Sequence, residues 1–254
     1  MSERRRLLQA LGALALLPAA RSRAQVGAAP GCDAATPLPP RFQLDYVAQA
    51  ARGMLTLDGE NELRFDVTPD GARSRYAARS ITRSVLFSAE QRSSGELRFE
   101  SGRVLLIPQE YVERSGRREP RRTRIDWQTQ QVSFSANAEG GAPTQPRLQD
   151  RLTLLLQVGQ VLRARAADAG GELALPVAGA RHITTYRLAL RGGESLDLPI
   201  GRLETVKLER PLTRDDDGLE IWVAPQLCWL PVRIRFTDDR GQVIQNQLRA
   251  ARFD

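Results

Sequence analysis

Apolar residues recur with a period of two along most of this chain, most clearly in the last stretch, from Gly218 to Phe253. There Leu219, Ile221 and Val223 alternate with polar or larger neighbours, and Leu230, Val232, Ile234 and Phe236 alternate with Pro231, Arg233, Arg235 and Thr237. Such alternation puts every second side chain on one face of a half-buried strand. The stretch therefore reads as three antiparallel strands with one apolar and one arginine face. Asp238-Asp239-Arg240-Gly241 supplies a turn before Ile244 and Leu248 resume the buried face.

The same pattern fills the upstream chain. Phe42, Leu44, Tyr46 and Ala48 alternate, and Met54, Leu55, Leu57, Leu63, Phe65 and Val67 suggest a second strand, with Gly53 or Asp58-Gly59 as a turn or bulge. Tyr76 to Ala78, Val85 to Phe87, Leu97 to Phe99 and Val104 to Ile107 continue a meander, and Val132, Phe134 and Ala136 extend it. Gly140 to Pro143 breaks the β pattern. Leu148, Leu152, Leu155, Leu156 and Leu162 then form one stripe at helical period, in a helix opened by Thr144 or Pro146. Strands resume at Leu173 and continue to the end, with no linker-like gap. The expected architecture is all-β, or β-dominated: one long, curved antiparallel sheet or half-closed barrel over residues 41–254, with one covering α-helix.

The N-terminus carries an address rather than structure. Arg4 to Arg6, the apolar run Leu7 to Ala20 and the small-x-small site Ser22-Arg23-Ala24 form a signal peptide over residues 1–24. The apolar run is too short to cross about 30 Å of hydrocarbon as a helix, so the expected product is exported and not transmembrane. The Sec route is favoured over the twin-arginine route, because Lys207 is the only lysine and paired arginines arise easily in such a chain. Residues 25–40, rich in Ala, Gly and Pro, read as a flexible tether. Without the signal, 32 basic residues face 29 acidic ones, so the formal charge falls from +7 to +3. That balance gives no reason to expect a nucleic-acid partner. Cys32 and Cys228 can form a disulfide in an oxidising compartment; two free thiols, or lipidation of Cys32, are the other readings.

No catalytic constellation is legible. His182, the only histidine, begins an expected strand, and no serine lies in a G-x-S-x-G elbow. One histidine and two distant cysteines match no zinc spacing, and Asp215 to Asp217 lack the twelfth-position glutamate of a calcium loop. No metal or other cofactor is therefore expected. Arg114, Arg117, Arg118, Arg121, Arg122 and Arg124 crowd one segment and can contact an anion or a partner, although a solvated hairpin tip explains them as well. Trp127, Trp222 and Trp229 are the candidate ligand contacts. Trp222 and Trp229 flank a turn, where they either line an apolar groove together or pack in the core.

Five short motifs in order carry a resemblance: Pro108 to Tyr111, Gln149-Asp150-Arg151-Leu152-Thr153, Leu198 to Gly201, Ile221 to Ala224 and Leu230 to Ile234. Together they resemble the domain of unknown function 3108 family of exported proteins of Gram-negative bacteria, across about residues 41 to 252. The resemblance implies a periplasmic β-rich domain and transfers no catalytic residue. The expected function is non-enzymatic: a periplasmic binding or carrier protein for a lipid or other lipophilic, envelope-derived ligand. The alternative is a structural or adaptor protein that docks an envelope protein through the arginine hairpin or a sheet edge.

Overall fold

Long alternating runs with few prolines favour extended strands, and here they pair into a single sheet. The computed structural model describes residues 38–70, 73–100, 103–137, 140–164, 171–213 and 217–254. The signal read over residues 1–24, most of the tether, Cys32 and Asp215-Asp216 lie outside the described residues.

The first half of the chain contributes β1 (Arg41–Arg52), β2 (Leu55–Asp70), β3 (Arg73–Ser84), β4 (Ser88–Glu100), β5 (Arg103–Ser115), β6 (Arg121–Asp126), β7 (Gln131–Phe134) and β8 (Gly141–Pro143). A two-residue strand β9 (Gln149–Asp150) leads directly into helix α1 (Arg151–Ala164). The second half contributes β10 (Glu172–Ala178), β11 (Ile183–Leu198), β12 (Gly201–Arg210), β13 (Gly218–Ala224), β14 (Leu230–Thr237) and β15 (Val243–Phe253). The fifteen strands run in the order β8 through β1, then β15 down to β9. Two meanders therefore meet where β1 pairs with β15. Neighbours are antiparallel except β9 and β10, which are parallel.

The two outermost strands, β8 and β9, are close in sequence, so the sheet must curl until its ends approach each other. It does not close as a ladder. β6 pairs with β5 only over Glu110 to Glu113, which leaves the stretch from Val104 to Pro108 without a strand on that side. Side chains take over there. Gln157 of α1 accepts from Leu106 N at 2.8 Å and donates to Val104 O at 3.0 Å. Gln149 donates to Leu106 O at 3.0 Å, and Trp127 Nε1 donates to Pro108 O at 2.7 Å. Across the same seam Thr123 Oγ1 donates to Gly179 O. These bonds satisfy buried backbone groups that would otherwise cost about 1–3 kcal/mol each.

The helix is a plug more than a cover. Leu152 and Leu156 join the core shared by β1 to β5 and β11 to β15, where the Phe42, Phe65 and Tyr76 rings stack. Leu154, Val158 and Leu162 pack instead with Leu173, Leu188, Leu208 and Ile221 of β10 to β13. A single apolar stripe was expected. In fact both sides are buried, Leu148 precedes the helix, and Leu155 is only half-buried. The start also differs, because Asp150 caps the helix in place of Thr144 or Pro146.

Three further expectations change. Met54, Leu55 and Val85 to Phe87 do not form a strand's inner face: they are exposed at the β1–β2 and β3–β4 tips. The tether was read to Pro40, yet Leu38 is buried in the core and Pro40 O accepts from Val67 N. The C-terminal strands lack a single apolar face. Leu219, Ile221 and Val223 join one cluster while Trp222 and Ala224 join the other, and a bulge at Trp222/Val223 shifts the register of β14.

Gly159 marks the closest approach of the helix to the sheet. A Cβ added there would lie 1.9 Å from Trp229 O. We expect Gly159→Ala to lower stability by about 2 kcal/mol in urea unfolding, because the clash outweighs the roughly 1 kcal/mol gained in helix propensity. A more stable variant would contradict this packing.

Candidate functional site

The start of α1 is the most polar point of the interior. Asp150, fully buried, accepts from Leu152 N and Thr153 N, each at 2.8 Å, while Thr153 Oγ1 accepts from Asp150 N at 3.0 Å. This reciprocal cap satisfies donors that a helix N-terminus leaves free. Ser93 Oγ on β4 donates to the second carboxylate oxygen at 2.5 Å, and the Tyr76 hydroxyl lies 3.0 Å from Ser93. Burial pushes the Asp150 carboxyl up from its ordinary 3.8 to about 6, against the hydrogen bonds from Ser93, Thr153 and Leu152 that hold it down. The neighbouring Arg151 reaches Glu113 at 3.5 Å, and Glu113 also accepts from the Tyr111 hydroxyl.

Beyond this polar cap a cavity of about 300 Å³ lies between the helix and the inner face of the sheet. Leu152, Leu154 and Leu155 form its helical wall, and Leu63, Ile234 and Phe236 face them. Asn61, Thr82 and Gln91 add polar groups, and Asn246, also in the wall, has a buried Oδ1 without a hydrogen-bond partner. Phe87, partly exposed at the β3–β4 tip, stands at the rim with Ala89. The volume lies at the lower end for small-molecule sites, and the mixture of many apolar groups and a few polar ones is typical of them. A second cavity, of about 380 Å³, lies at the seam against Leu106, Trp127, Gln149, Gln157 and Val161. Its Gln157 amide and the Trp127 indole N–H are committed to closing the sheet edge.

The three tryptophans do not share one site. Trp222 is buried, pairs with Lys207 and Arg233 on the adjoining strands, and has both cations over its ring, at 4.9 and 4.6 Å. Its Nε1 donates to Glu194. Cation–π contacts of this kind are worth about 0.5–2 kcal/mol each. Trp229 packs with the other core cluster, and its backbone carbonyl faces Gly159, so the two do not form the common groove the sequence suggested. Trp127 is half-buried at the seam. Cys228 is buried and disulfide-bonded; Cys32 lies outside the described residues.

The arginine cluster splits in two. On β6, Arg121 lies 3.8 Å from Glu113, and Arg122 and Arg124 lie 2.7 and 3.6 Å from Glu110 on β5. Arg114 donates to Gly116 O. Arg117 and Arg118, at the tip, have no carboxylate within 4 Å among the described residues. His182 is exposed, in the β10–β11 turn immediately before β11. Sequence reasoning missed the cavity wall and its cap. The Asp150-Arg151-Leu152-Thr153 spacing was the one local signal for the cap.

One long curled sheet around a single helix, with a partly open, largely apolar cavity between them, defines an all-β protein with one helix. The chain belongs to the family described as protein of unknown function (DUF3108), which matches residues 41–248. Comparison with curated proteins finds no match.

Because its folded pKa is raised, Asp150 favours folding below about pH 4, and that advantage is lost as pH rises through about 6. Asp150→Asn, which keeps an accepting oxygen at the cap, should remove this dependence. Denaturant titrations at pH 4 and 7 should show the wild type losing roughly 3 kcal/mol relative to the variant. Parallel pH profiles would contradict a buried, titrating cap.

Proposed function

We propose that this protein is a non-enzymatic binding or carrier protein for a lipophilic, envelope-derived ligand, working in the periplasm. The observation that carries the reading is the cavity between α1 and the sheet. Leucines from the helix and apolar residues from β2 and β14 supply surface for an acyl or similar chain. The buried Asn246 Oδ1 offers an acceptor to a hydroxyl or amide of the ligand. Arg151, exposed beside the same cavity, supplies a cation for an anionic head group. The signal peptide read from residues 1–24 supports this reading, since it would direct the protein to a compartment bounded by two membranes, where such amphiphiles are abundant.

The adaptor reading draws on the β5–β6 hairpin, where Arg117 and Arg118 are the two arginines not matched to glutamates or to a backbone carbonyl. It is the weaker of the two, since three of the six arginines are already matched within the fold.

Uptake of a fluorescent fatty acid by delipidated protein tests the carrier reading. We expect saturable binding that Ala89→Trp, which fills the cavity rim, weakens at least tenfold without lowering Tm. Trp127→Leu, at the seam, should leave affinity within about twofold. Absence of binding, or binding lost only in the Trp127 variant, would overturn the assignment to the inner cavity.

A further inference from the structure

Three neighbouring hairpins end at the same edge of the sheet, and their tips combine bare apolar side chains with unmatched arginines. The strands run β6, β5, β4, β3, β2, β1, so the β1–β2, β3–β4 and β5–β6 turns stand side by side, about 10 Å apart at ordinary strand spacing. Met54 at the first tip is 102% exposed and Leu55 77%. At the second, Val85 is 94% exposed and Leu86 77%. This second tip is held in shape, because Ser84 N donates to Phe87 O and Phe87 N donates to Ser84 Oγ. Large apolar residues presented this openly, on ordered turns, mark an interaction surface.

The register sets the relative heights. Gly59 pairs with Ser84, so Leu55 lies four residues further along β2 than the end of β3, about 13 Å at strand rise. Gly116 N donates to Ser88 O, which puts Arg117 and Arg118 level with the Val85 to Phe87 tip. The apolar β1–β2 tip thus leads, and a second apolar tip follows with guanidiniums beside it. Arg52 and Arg83 near the two apolar tips, like Arg117 and Arg118, have no carboxylate within 4 Å among the described residues. Of the acidic groups beside these three tips, Asp58 binds Gln49 and Glu119 shares the third tip. The adjoining β14–β15 turn holds Asp238 and Asp239 against Arg240, which tilts any contact with an anionic surface towards β3 to β6.

We infer that this rim docks on a lipid bilayer containing anionic phospholipid, with Met54, Leu55, Val85 and Leu86 entering the interface and Arg117 and Arg118 meeting phosphate groups. A bilayer suits these features better than a protein groove does. Its interface receives separate protruding side chains at different depths, while the phosphate layer matches cations set behind the first tip and level with the second. Phe87 belongs both to this rim and to the wall of the inner cavity, so docking would bring the cavity mouth to the membrane. The docking does not require the cavity to hold a ligand.

Flotation of the purified protein with vesicles tests it, using phosphatidylethanolamine with and without phosphatidylglycerol. We expect flotation in both, about tenfold stronger with phosphatidylglycerol, the excess disappearing at high salt. Met54→Ser with Leu55→Ser, and separately Val85→Ser with Leu86→Ser, should reduce binding to both vesicles at least tenfold. Arg117→Ser with Arg118→Ser should remove only the phosphatidylglycerol excess. Because all six positions are exposed, Tm should be unchanged in every variant. No flotation of the wild type, or equal flotation of the apolar double variants, would overturn the inference. Flotation by a protein that takes up no fatty acid would keep the docking and end the carrier reading.

Discussion

The fold depends on how a curled sheet closes without a strand to close it. Between Val104 and Pro108, β5 presents backbone groups to the interior side of a seam, and an unpaired edge of that kind is both costly and prone to wrong pairing. Gln157, Gln149 and Trp127 cover it, each from a different segment of the chain. The Gln157 amide donates and accepts as a peptide group would, and Gln149 adds a donor, so they stand in for a missing strand. Covering the edge this way fixes the helix in position and rotation, since Gln157 must face β5 while Gly159 passes Trp229 O.

With the helix so placed, the remaining interior follows. Leu152 and Leu156 pack in the core that spans β1 to β5 and β11 to β15, while Leu154 and Val158 pack with β10 to β13. The helix bridges two halves that otherwise share a ladder only where β1 meets β15. Its N-terminus lands beside Ser93, where the buried carboxylate of Asp150 serves as cap. The inner cavity is the space left beside the first two turns of the helix, and its mouth opens near the exposed hairpin tips. Cavity and cap are thus consequences of one placement, which gives the proposed carrier a single structural origin.

Strand identity was legible in the sequence wherever one face is buried, as in Phe42, Leu44, Tyr46 and Ala48 of β1. Burial on both faces was not. Leu219 to Ala224 reads as ordinary alternation, yet Trp222 is buried nearly as deeply as its neighbours, with cations from both adjoining strands over its ring. The bulge beside Val223 changes which residues share a face, and no composition rule announces a bulge. The helix was found by its leucines, but the residues that dock it, Gln149, Gln157 and Gly159, look like surface or helix-weakening choices until the β5 edge and Trp229 lie against them. For the same reason Val85 to Phe87 passed for a strand: three apolar residues in a row carry no sign of whether anything covers them. Family membership was legible from five ordered motifs, and the structure explains one of them, since Gln149 to Thr153 holds the seam amide and the helix cap.

Native-state hydrogen exchange at the Leu106 amide tests the central claim most directly. If Gln157 replaces a strand, this amide should be protected to the level of the β4–β5 ladder in the wild type. In Gln157→Leu it should exchange at least a hundredfold faster while ladder amides of β4 stay protected. Rapid exchange in the wild type, or protection unaffected by the substitution, would contradict a sheet closed by side chains.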